Sequence, residues 1–137
     1  TSPPYPNAYE YWLYHKYRMW WLGHDPLKVK EQEIGARAHF FKRNHHTAND
    51  FRNQMLATFQ LINSVLIPQG FACFVIGRSK IHGAIIDNAK ILQDIAEYHG
   101  FKTITCIERI ISPTRKSFNL SHAKIKTENI MIFQKGE

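Results

Sequence analysis

A continuous apolar run, FACFVI, spans Phe71–Ile76 and is bounded by Gly70 and Gly77. The run is too short for a stable helix and is polar on neither face, so it predicts a β-strand that is buried on both sides. Gly77 ends this strand at the point where ligands bind in open α/β sheets. The run therefore favours an α/β fold.

Two amphipathic helices flank this strand in the sequence. Thr47 followed by Asp50 is typical of a helix N-cap, and apolar residues then recur at helical spacing over Ala48–Leu66. A second amphipathic helix is predicted over Asp87–His99, with Gly100 as its C-terminal cap. Both helices have an apolar face that can cover a sheet.

Two further strands are predicted near the carboxyl end. Phe101–Ile111 is rich in β-branched residues, and Glu128–Gln134 contains the apolar core NIMIF. A basic, polar loop is predicted between them, over Ser112–Thr127. The order of helices, strand, helix, strand and strand predicts the closing half of an α/β sheet, with the last two strands paired.

The amino-terminal region is rich in prolines and aromatic residues. Residues 1–7, TSPPYPN, cannot form a helix because proline lacks the amide donor. Ala8–Leu22 contains neither Pro nor Gly and is predicted to be helical, and a further helix is predicted within Lys28–Arg43. The aromatic surface of the first helix either is buried against something large or contacts a ligand. Its aromatic residues are Tyr9, Tyr11, Trp12, Tyr14, Tyr17, Trp20 and Trp21.

The charge and the cysteine content restrict the classes of protein to which this chain can belong. The 18 Lys and Arg residues oppose 11 Asp and Glu residues, and the net charge of +7 favours a polyanionic partner such as nucleic acid, although an unspecific basic surface is the alternative. No apolar run reaches the ~20 residues of a membrane span, so no membrane partner is expected. Cys73 and Cys106 fit no disulfide framework and are interpreted as small buried residues of an intracellular, cytoplasmic protein. The 137 residues are expected to form one segment, a domain or part of one.

The most informative residues are Ser2, Pro3, Pro4 and Tyr5, because they resemble the signature tetrapeptide of amino-methyltransferases. This resemblance implies that the group acted on is an exocyclic base amine. An exocyclic base amine is a poor nucleophile because its lone pair is delocalised into the ring. The Ser2 hydroxyl can accept one amine hydrogen and the Pro3 carbonyl the other, which favours a pyramidal nitrogen. The two prolines hold that carbonyl in place, and Tyr5 offers a ring on which an extruded base stacks. The alternative is a proline-rich turn or a ligand for a proline-binding module.

This tetrapeptide and the segments after it resemble the second half of class I S-adenosylmethionine-dependent DNA amino-methyltransferases, whose signature is Asp/Asn/Ser-Pro-Pro-Tyr/Phe/Trp. The matching segments are TSPPYPNAYEYWLYHKYRMWWLG, QEIGARA, GFACFVIGRSKIHG, YHGF, IERIISPTRKSF and TENIMIFQK. The resemblance implies a partial Rossmann-like methyltransferase fold. In this fold the tetrapeptide ends the fourth strand, and a helical segment, the fifth strand, a helix and a terminal antiparallel strand pair follow.

The resemblance also implies the reaction and its participants. A methyl group would pass from S-adenosyl-L-methionine to the exocyclic amine of a flipped base in double-stranded DNA. A serine at the first motif position is commoner in cytosine-N4 enzymes, so cytosine N4 is the expected target and adenine N6 the alternative. Ser2–Tyr5 would be catalytic or base-binding, with Ser2 and Pro3 also bordering the methyl donor. Gly77 and Arg78 would line the base pocket, although Arg78 in a surface ion pair is the alternative. Phosphate contacts are expected from Arg109, Arg115 and Lys116, with a solvated loop as the alternative.

The donor-binding half of such a fold needs a glycine-rich turn and an acidic residue after early strands. None of the seven glycines forms a Gly-x-Gly pattern. The cofactor-binding half is therefore expected outside this sequence, in the same or a second polypeptide.

Other reactions and sites fit the sequence less well or stay open. Cytosine-C5 methylation needs a nucleophilic cysteine, usually after a proline, whereas Cys73 follows Ala72 and Cys106 follows Thr105. The eight histidines are scattered, so no metal site is expected. An RNA (tRNA) amino-methyltransferase and a non-catalytic, nucleic-acid-binding methyltransferase-like module remain open alternatives.

Overall fold

The computed structural model describes residues 1–41, 45–111 and 127–137. No helix in these ranges is long and apolar enough to cross a membrane. In chain order the elements are α1 (Tyr11–Trp21), α2 (Pro26–Gln32), a 3₁₀ turn (Arg37–Phe40), α3 (Ala48–Val65), β1 (Phe71–Gly77), β2 (Ser79–Ile81), β3 (Ala84–Ile86), α4 (Asn88–Tyr98), β4 (Phe101–Ile110) and β5 (Thr127–Lys135).

The main sheet has the strand order β1-β5-β4, and β5 runs antiparallel to both of its neighbours. The antiparallel pairing predicted for the last two strands is therefore confirmed. A bulge between Thr103 and Thr105 shifts the register of β4 against β5. A separate hairpin, β2 and β3, which the sequence patterns did not predict, follows β1 directly.

The hydrophobic core lies between this sheet and the predicted helices α3 and α4, both of which are confirmed. Phe59 of α3 stacks on Phe74 of β1 with ring centroids 5.0 Å apart. The edges of Phe101 and Phe133 complete an aromatic cluster around Phe59, at 5.8 and 5.7 Å. The apolar stripes of the two helices and one face of the sheet form a single buried cluster.

The prediction that β1 is buried on both faces is wrong. Ala72, Phe74 and Ile76 are buried, but Phe71 and Cys73 are exposed. Successive residues of a strand point to opposite faces of the sheet, and among the described residues the core that includes α3 and α4 lies on one face. The interpretation of both cysteines as buried fails for the same reason, since Cys73 and Cys106 are both exposed.

The helix predicted within Lys28–Arg43 is interrupted. α2 ends at Gln32, and a short 3₁₀ turn (Arg37–Phe40) follows in the part of this range that the structure describes, up to residue 41. Gly35 lies between them with φ of +68°, and a Cβ atom there would lie 3.2 Å from Cα of Pro6. A continuous helix is incompatible with this left-handed residue, which lets the chain pass close to the tetrapeptide segment.

Replacing Thr47 with alanine is expected to destabilise the protein by about 0.5–2 kcal/mol, because Thr47 and Asp50 form the predicted capping box at the start of α3. The backbone amide and then the hydroxyl of Thr47 lower the pKa of Asp50 below its ordinary value. A lowered carboxyl pKa stabilises the folded state above the pKa of the unfolded chain, and this contribution disappears as the pH falls through the folded pKa. Urea unfolding at pH 7 and pH 3 should therefore show a smaller cost of Thr47→Ala at pH 3. An equal cost at both pH values would contradict this account.

Candidate functional site

The amino-terminal segment runs beside the outer edge of β1. The Thr1 nitrogen donates to the Cys73 carbonyl at 2.8 Å, and the Val75 amide donates to the Thr1 carbonyl at 2.9 Å. This pair of bonds on alternate residues is the pattern of a parallel bridge. The chain after Thr1 therefore advances in the direction of β1 and brings the tetrapeptide towards the carboxyl end of that strand, where open α/β sheets bind ligands.

Tyr5 is the member of the tetrapeptide that the structure fixes most firmly. Its ring is half-buried against the core, and its hydroxyl donates to Oε2 of Glu128 at 2.9 Å. Burial raises the pKa of the Tyr5 phenol strongly, and the Glu128 carboxylate raises it further. The Ser2 side chain and the Gly77 backbone interact with the same hydroxyl and lower its pKa by a smaller amount. At neutral pH the Tyr5 hydroxyl is therefore a protonated donor held in one orientation.

Glu128 joins the three strands at this end of the sheet. Glu128 directly precedes the apolar residues of β5, the central strand. It is paired with Gly77 of β1 and with Arg109 of β4. Its side chain is only 11% exposed, and Oε1 accepts from Nε of Arg109 at 2.5 Å. Glu128 thus accepts hydrogen bonds from both Tyr5 and Arg109. Because the Arg109 side chain is 57% exposed, solvent screens this ion pair.

A second buried polar residue shapes the turn after β1. Asn88, at the start of α4, is completely buried, and its Nδ2 donates to the Gly77 carbonyl and to Oγ of Ser79, each at 2.7 Å. A buried amide with such bonds ties the start of α4 to the end of β1. The position of Gly77 is therefore fixed from the helix side of the sheet.

The structure brings together some of the predicted site residues. Tyr5 and Arg109 donate to Glu128, and Ser2 and Gly77 interact with the Tyr5 hydroxyl, although these residues come from separate parts of the sequence. Arg78 follows Gly77 with an exposed side chain. Pro3 and Pro4 are half-buried in the segment between Ser2 and Tyr5. Arg115 and Lys116 lie outside the described residues.

Sequence reasoning missed Glu128 and Asn88 as site residues. Glu128 was available as a carboxylate directly before the apolar core NIMIF, and Asn88 as a second Asx residue at a helix start. Neither pattern by itself indicates burial or a partner. Within the ranges that the structure describes, no group of three His, Cys, Asp or Glu side chains is arranged to hold a metal ion.

Comparison with solved structures identifies the fold. Among the similar structures are three of a "putative DNA modification methylase" from Thermus thermophilus. Two of them, one a selenomethionine derivative, match with a TM-score of 0.53 and 16% sequence identity over 66% of this chain and 38% of theirs. The third, complexed with S-adenosyl-L-methionine, matches with a TM-score of 0.51 and 17% identity over 66% of this chain and 39% of its own.

The chain thus spans less than two-fifths of the length of these structures. No family model matches the sequence. No curated protein matches it either. The structural likeness and the sheet described above define the class of fold: an α/β, partial Rossmann-like methyltransferase fold whose sheet ends in an antiparallel strand pair.

Proposed function

We propose that this chain is the catalytic half of a DNA amino-methyltransferase that transfers a methyl group from S-adenosyl-L-methionine to an exocyclic base amine, with cytosine N4 as the target. The observation that carries the proposal is the Ser-Pro-Pro-Tyr segment at the carboxyl end of β1, with Tyr5 held there by Glu128. The chain as a whole has a methyltransferase-like α/β fold. The description of the Thermus protein as a DNA modification methylase agrees with this choice of substrate.

In the proposed mechanism the tetrapeptide prepares the amine for attack. The Ser2 hydroxyl and the Pro3 carbonyl each accept one amine hydrogen, so the nitrogen lone pair is withdrawn from the ring and becomes available. With the methyl donor bound, the nitrogen would form a bond to the methyl carbon as the carbon–sulfur bond breaks, and the amine proton would then leave to solvent. The prolines limit backbone motion, so the Pro3 carbonyl is preorganised for this contact.

Tyr5 is proposed to receive the target base after it leaves the duplex. A base inside the helix is unreachable, so it must be flipped out and stacked on a protein ring. The Tyr5 ring packs against the core, and the bond from its hydroxyl to Glu128 fixes the direction of the ring axis before the base arrives. Gly77 and Arg78 are proposed to border this pocket. Arg109, together with Arg115 and Lys116, is proposed to contact phosphate, with Arg109 held by Glu128.

The methyl donor fits this chain only in part. S-adenosyl-L-methionine supplies an electrophilic methyl group on a sulfonium centre. Ser2 is exposed and Pro3 half-buried, so both are accessible to a neighbouring ligand. No two glycines of the sequence form the Gly-x-Gly turn that would cradle the rest of the cofactor. This chain therefore fits the side of the site that holds the base amine.

The cofactor-binding half is proposed to pack on the uncovered side of the sheet. Cys73 and Ile107 lie opposite Ile132 and Ile130 on β5, on the face away from the buried Phe74. Phe71, Cys73 and Ile107 are exposed on this face. An apolar sheet face of this kind is suited to the helices of an α/β fold. The proposed DNA substrate would place the reaction inside the cell.

The test is nucleoside mass spectrometry on duplex DNA incubated with S-adenosyl-L-methionine and a polypeptide that contains this chain and a donor-binding half. Cofactor binding is first confirmed by calorimetry, so that a missing half cannot explain a negative result. Ser2→Ala is the matched variant, since Ser2 is exposed and its loss should spare the fold.

N4-methylcytosine that is lost in Ser2→Ala would support the proposal in full. Detection of N6-methyladenine would support amino-methylation of DNA and would change the assigned target from cytosine N4 to adenine N6. Methylated RNA with unmodified DNA would overturn the choice of substrate. Confirmed cofactor binding without any methylated nucleoside would overturn the catalytic assignment in favour of a binding module.

A further inference from the structure

Helix α1 is an exposed aromatic element that the packing of the fold does not explain. None of its eleven described residues is buried. Its neighbour is α2, and its first two amide groups, of Tyr11 and Trp12, donate to the carboxylate of Glu33 at 2.7 and 2.8 Å. Trp21 is 91% exposed, and other large side chains are exposed beside it. These are Tyr14, Tyr17, Trp20 and Leu22. The described residues of this chain therefore leave these rings exposed.

Positive charge accompanies these rings. The helix itself carries Lys16 and Arg18 and no carboxylate, whereas Glu10 precedes it and the Glu33 carboxylate accepts from its first two amides. Nζ of Lys16 lies 4.9 Å from the centroid of the Tyr17 ring, and that ring lies 5.5 Å from Trp20 in an edge arrangement. Arg18 lies on the same helix, where its guanidinium contacts His15 at 2.8 Å. The exposed rings and the cations therefore share the surface of one helix.

The helix is tied to the tetrapeptide segment. The Arg37 amide donates to the Tyr9 carbonyl at 3.0 Å, and the Asn7 amide donates to the Gly35 carbonyl at 3.1 Å. The Asn7 side chain also donates to the Lys80 carbonyl at 2.8 Å. Because of these bonds, the chain between Tyr5 and α1 is held in a fixed path, so α1 is positioned near the candidate site.

We propose that α1 binds nucleic acid, with Tyr17, Trp20 and Trp21 as a platform on which unpaired bases stack and with Lys16 and Arg18 contacting phosphate. Exposed rings interspersed with cations are the usual means of holding unpaired strands, since every base has a π-face and every nucleotide a negative charge. This inference deepens the proposed function, because extrusion of one base leaves its neighbours and its former partner unstacked.

The positions of the tryptophans provide a direct test. The chain has three tryptophans, Trp12, Trp20 and Trp21, and all of them lie in α1. Tryptophan emission therefore reports on this helix alone. The probe is a 5′-fluorescein-labelled, mixed-sequence single-stranded DNA of about twelve nucleotides, a length within the site sizes of strand-binding proteins. We expect unlabelled DNA of the same sequence to quench tryptophan emission, and fluorescence anisotropy of the labelled strand to give the affinity.

The double variant Trp20→Ala, Trp21→Ala should bind this strand at least ten-fold more weakly, since each stacked base contributes substantially to such binding. Tyr98→Ala is the control, because Tyr98 is a similarly exposed ring on α4. It should bind like the unmodified chain. Arg18→Gln should reduce the slope of log affinity against log salt by about 0.7, the value for one phosphate contact on a single strand.

Three results would overturn the inference. The first is binding of the labelled strand without quenching of tryptophan emission. The second is a blue shift of that emission with vesicles containing anionic lipid but no response to DNA. The third is a concentration-dependent dimer that the double variant abolishes, again without a response to DNA. These measurements need no methyl donor, so quenching without methyl transfer would retain the α1 surface and reject the enzyme. Methyl transfer by the double variant, with unchanged affinity for the labelled strand, would retain the enzyme and reject the α1 surface.

Discussion

Replacing Phe59 with alanine is expected to lower the free energy of unfolding by about 3–5 kcal/mol, the range for truncation of a buried Phe. Phe59 is fully buried and contacts three other rings of the core, those of Phe74, Phe101 and Phe133. These rings come from three different strands, so the cavity would weaken the packing of α3 on the whole sheet. A loss of this size is a large part of the ~5–15 kcal/mol by which domains are stable.

The measurement is urea unfolding followed by far-ultraviolet circular dichroism, on the polypeptide used for the methylation assay. Leu61→Ala is the matched control, because Leu61 lies on the same helix and is 64% exposed. It should change the free energy of unfolding by about 0.5 kcal/mol or less. Equal effects of the two substitutions would show that α3 does not cover the sheet as described.

Replacing Tyr5 with alanine is expected to reduce kcat/KM for methyl transfer to DNA by about 10–100-fold. The reason is the loss of the ring on which the extruded base is proposed to stack, an interaction worth about 1–3 kcal/mol per base. Tyr5→Phe retains the ring and loses only the hydrogen bond to Glu128, so its rate should fall by about ten-fold or less. Steady-state kinetics on duplex DNA would compare the three proteins.

The Tyr5 ring also packs against the core, so stability must be measured alongside the kinetics. Thermal unfolding of each variant in the presence of the methyl donor shows whether the protein remains folded at the assay temperature. A folded Tyr5→Ala variant with unchanged kcat/KM would remove Tyr5 from the proposed site. An equal loss in Tyr5→Phe would assign the effect to the hydroxyl and its bond to Glu128, and not to the ring.

The geometry of the proposed site depends on how the strands around Glu128 are paired. Tyr5 and Glu128 are 123 residues apart in the sequence, and the hydrogen bond between them crosses from the amino-terminal segment to the last strand. Arg109 reaches the same carboxylate from β4. The orientation of the proposed base-stacking ring therefore depends on correct pairing of β5 between β1 and β4. A shift of β5 by one residue would move Glu128 to the other face of the sheet.

The helices α3 and α4, the strands β1, β4 and β5 and the capping box of α3 could be predicted from the sequence. Each depends on interactions between residues close together in the chain, such as apolar spacing or a side chain bonded to a nearby amide. The Ser-Pro-Pro-Tyr segment was identified as a candidate site by its resemblance to the methyltransferase signature, and its role stays a prediction. Residue type and local spacing were sufficient for these predictions.

Tertiary structure decided which faces are covered and which side chains meet. The run FACFVI is equally apolar on both faces, so its sequence could not show that Cys73 would be exposed while Phe74 is buried. Glu128 likewise resembled a solvent-exposed strand end until pairing placed it opposite Gly77 and Arg109. The physical reason is that strand order and register depend on contacts between residues distant in sequence, whereas hydrophobic periodicity describes only the local segment.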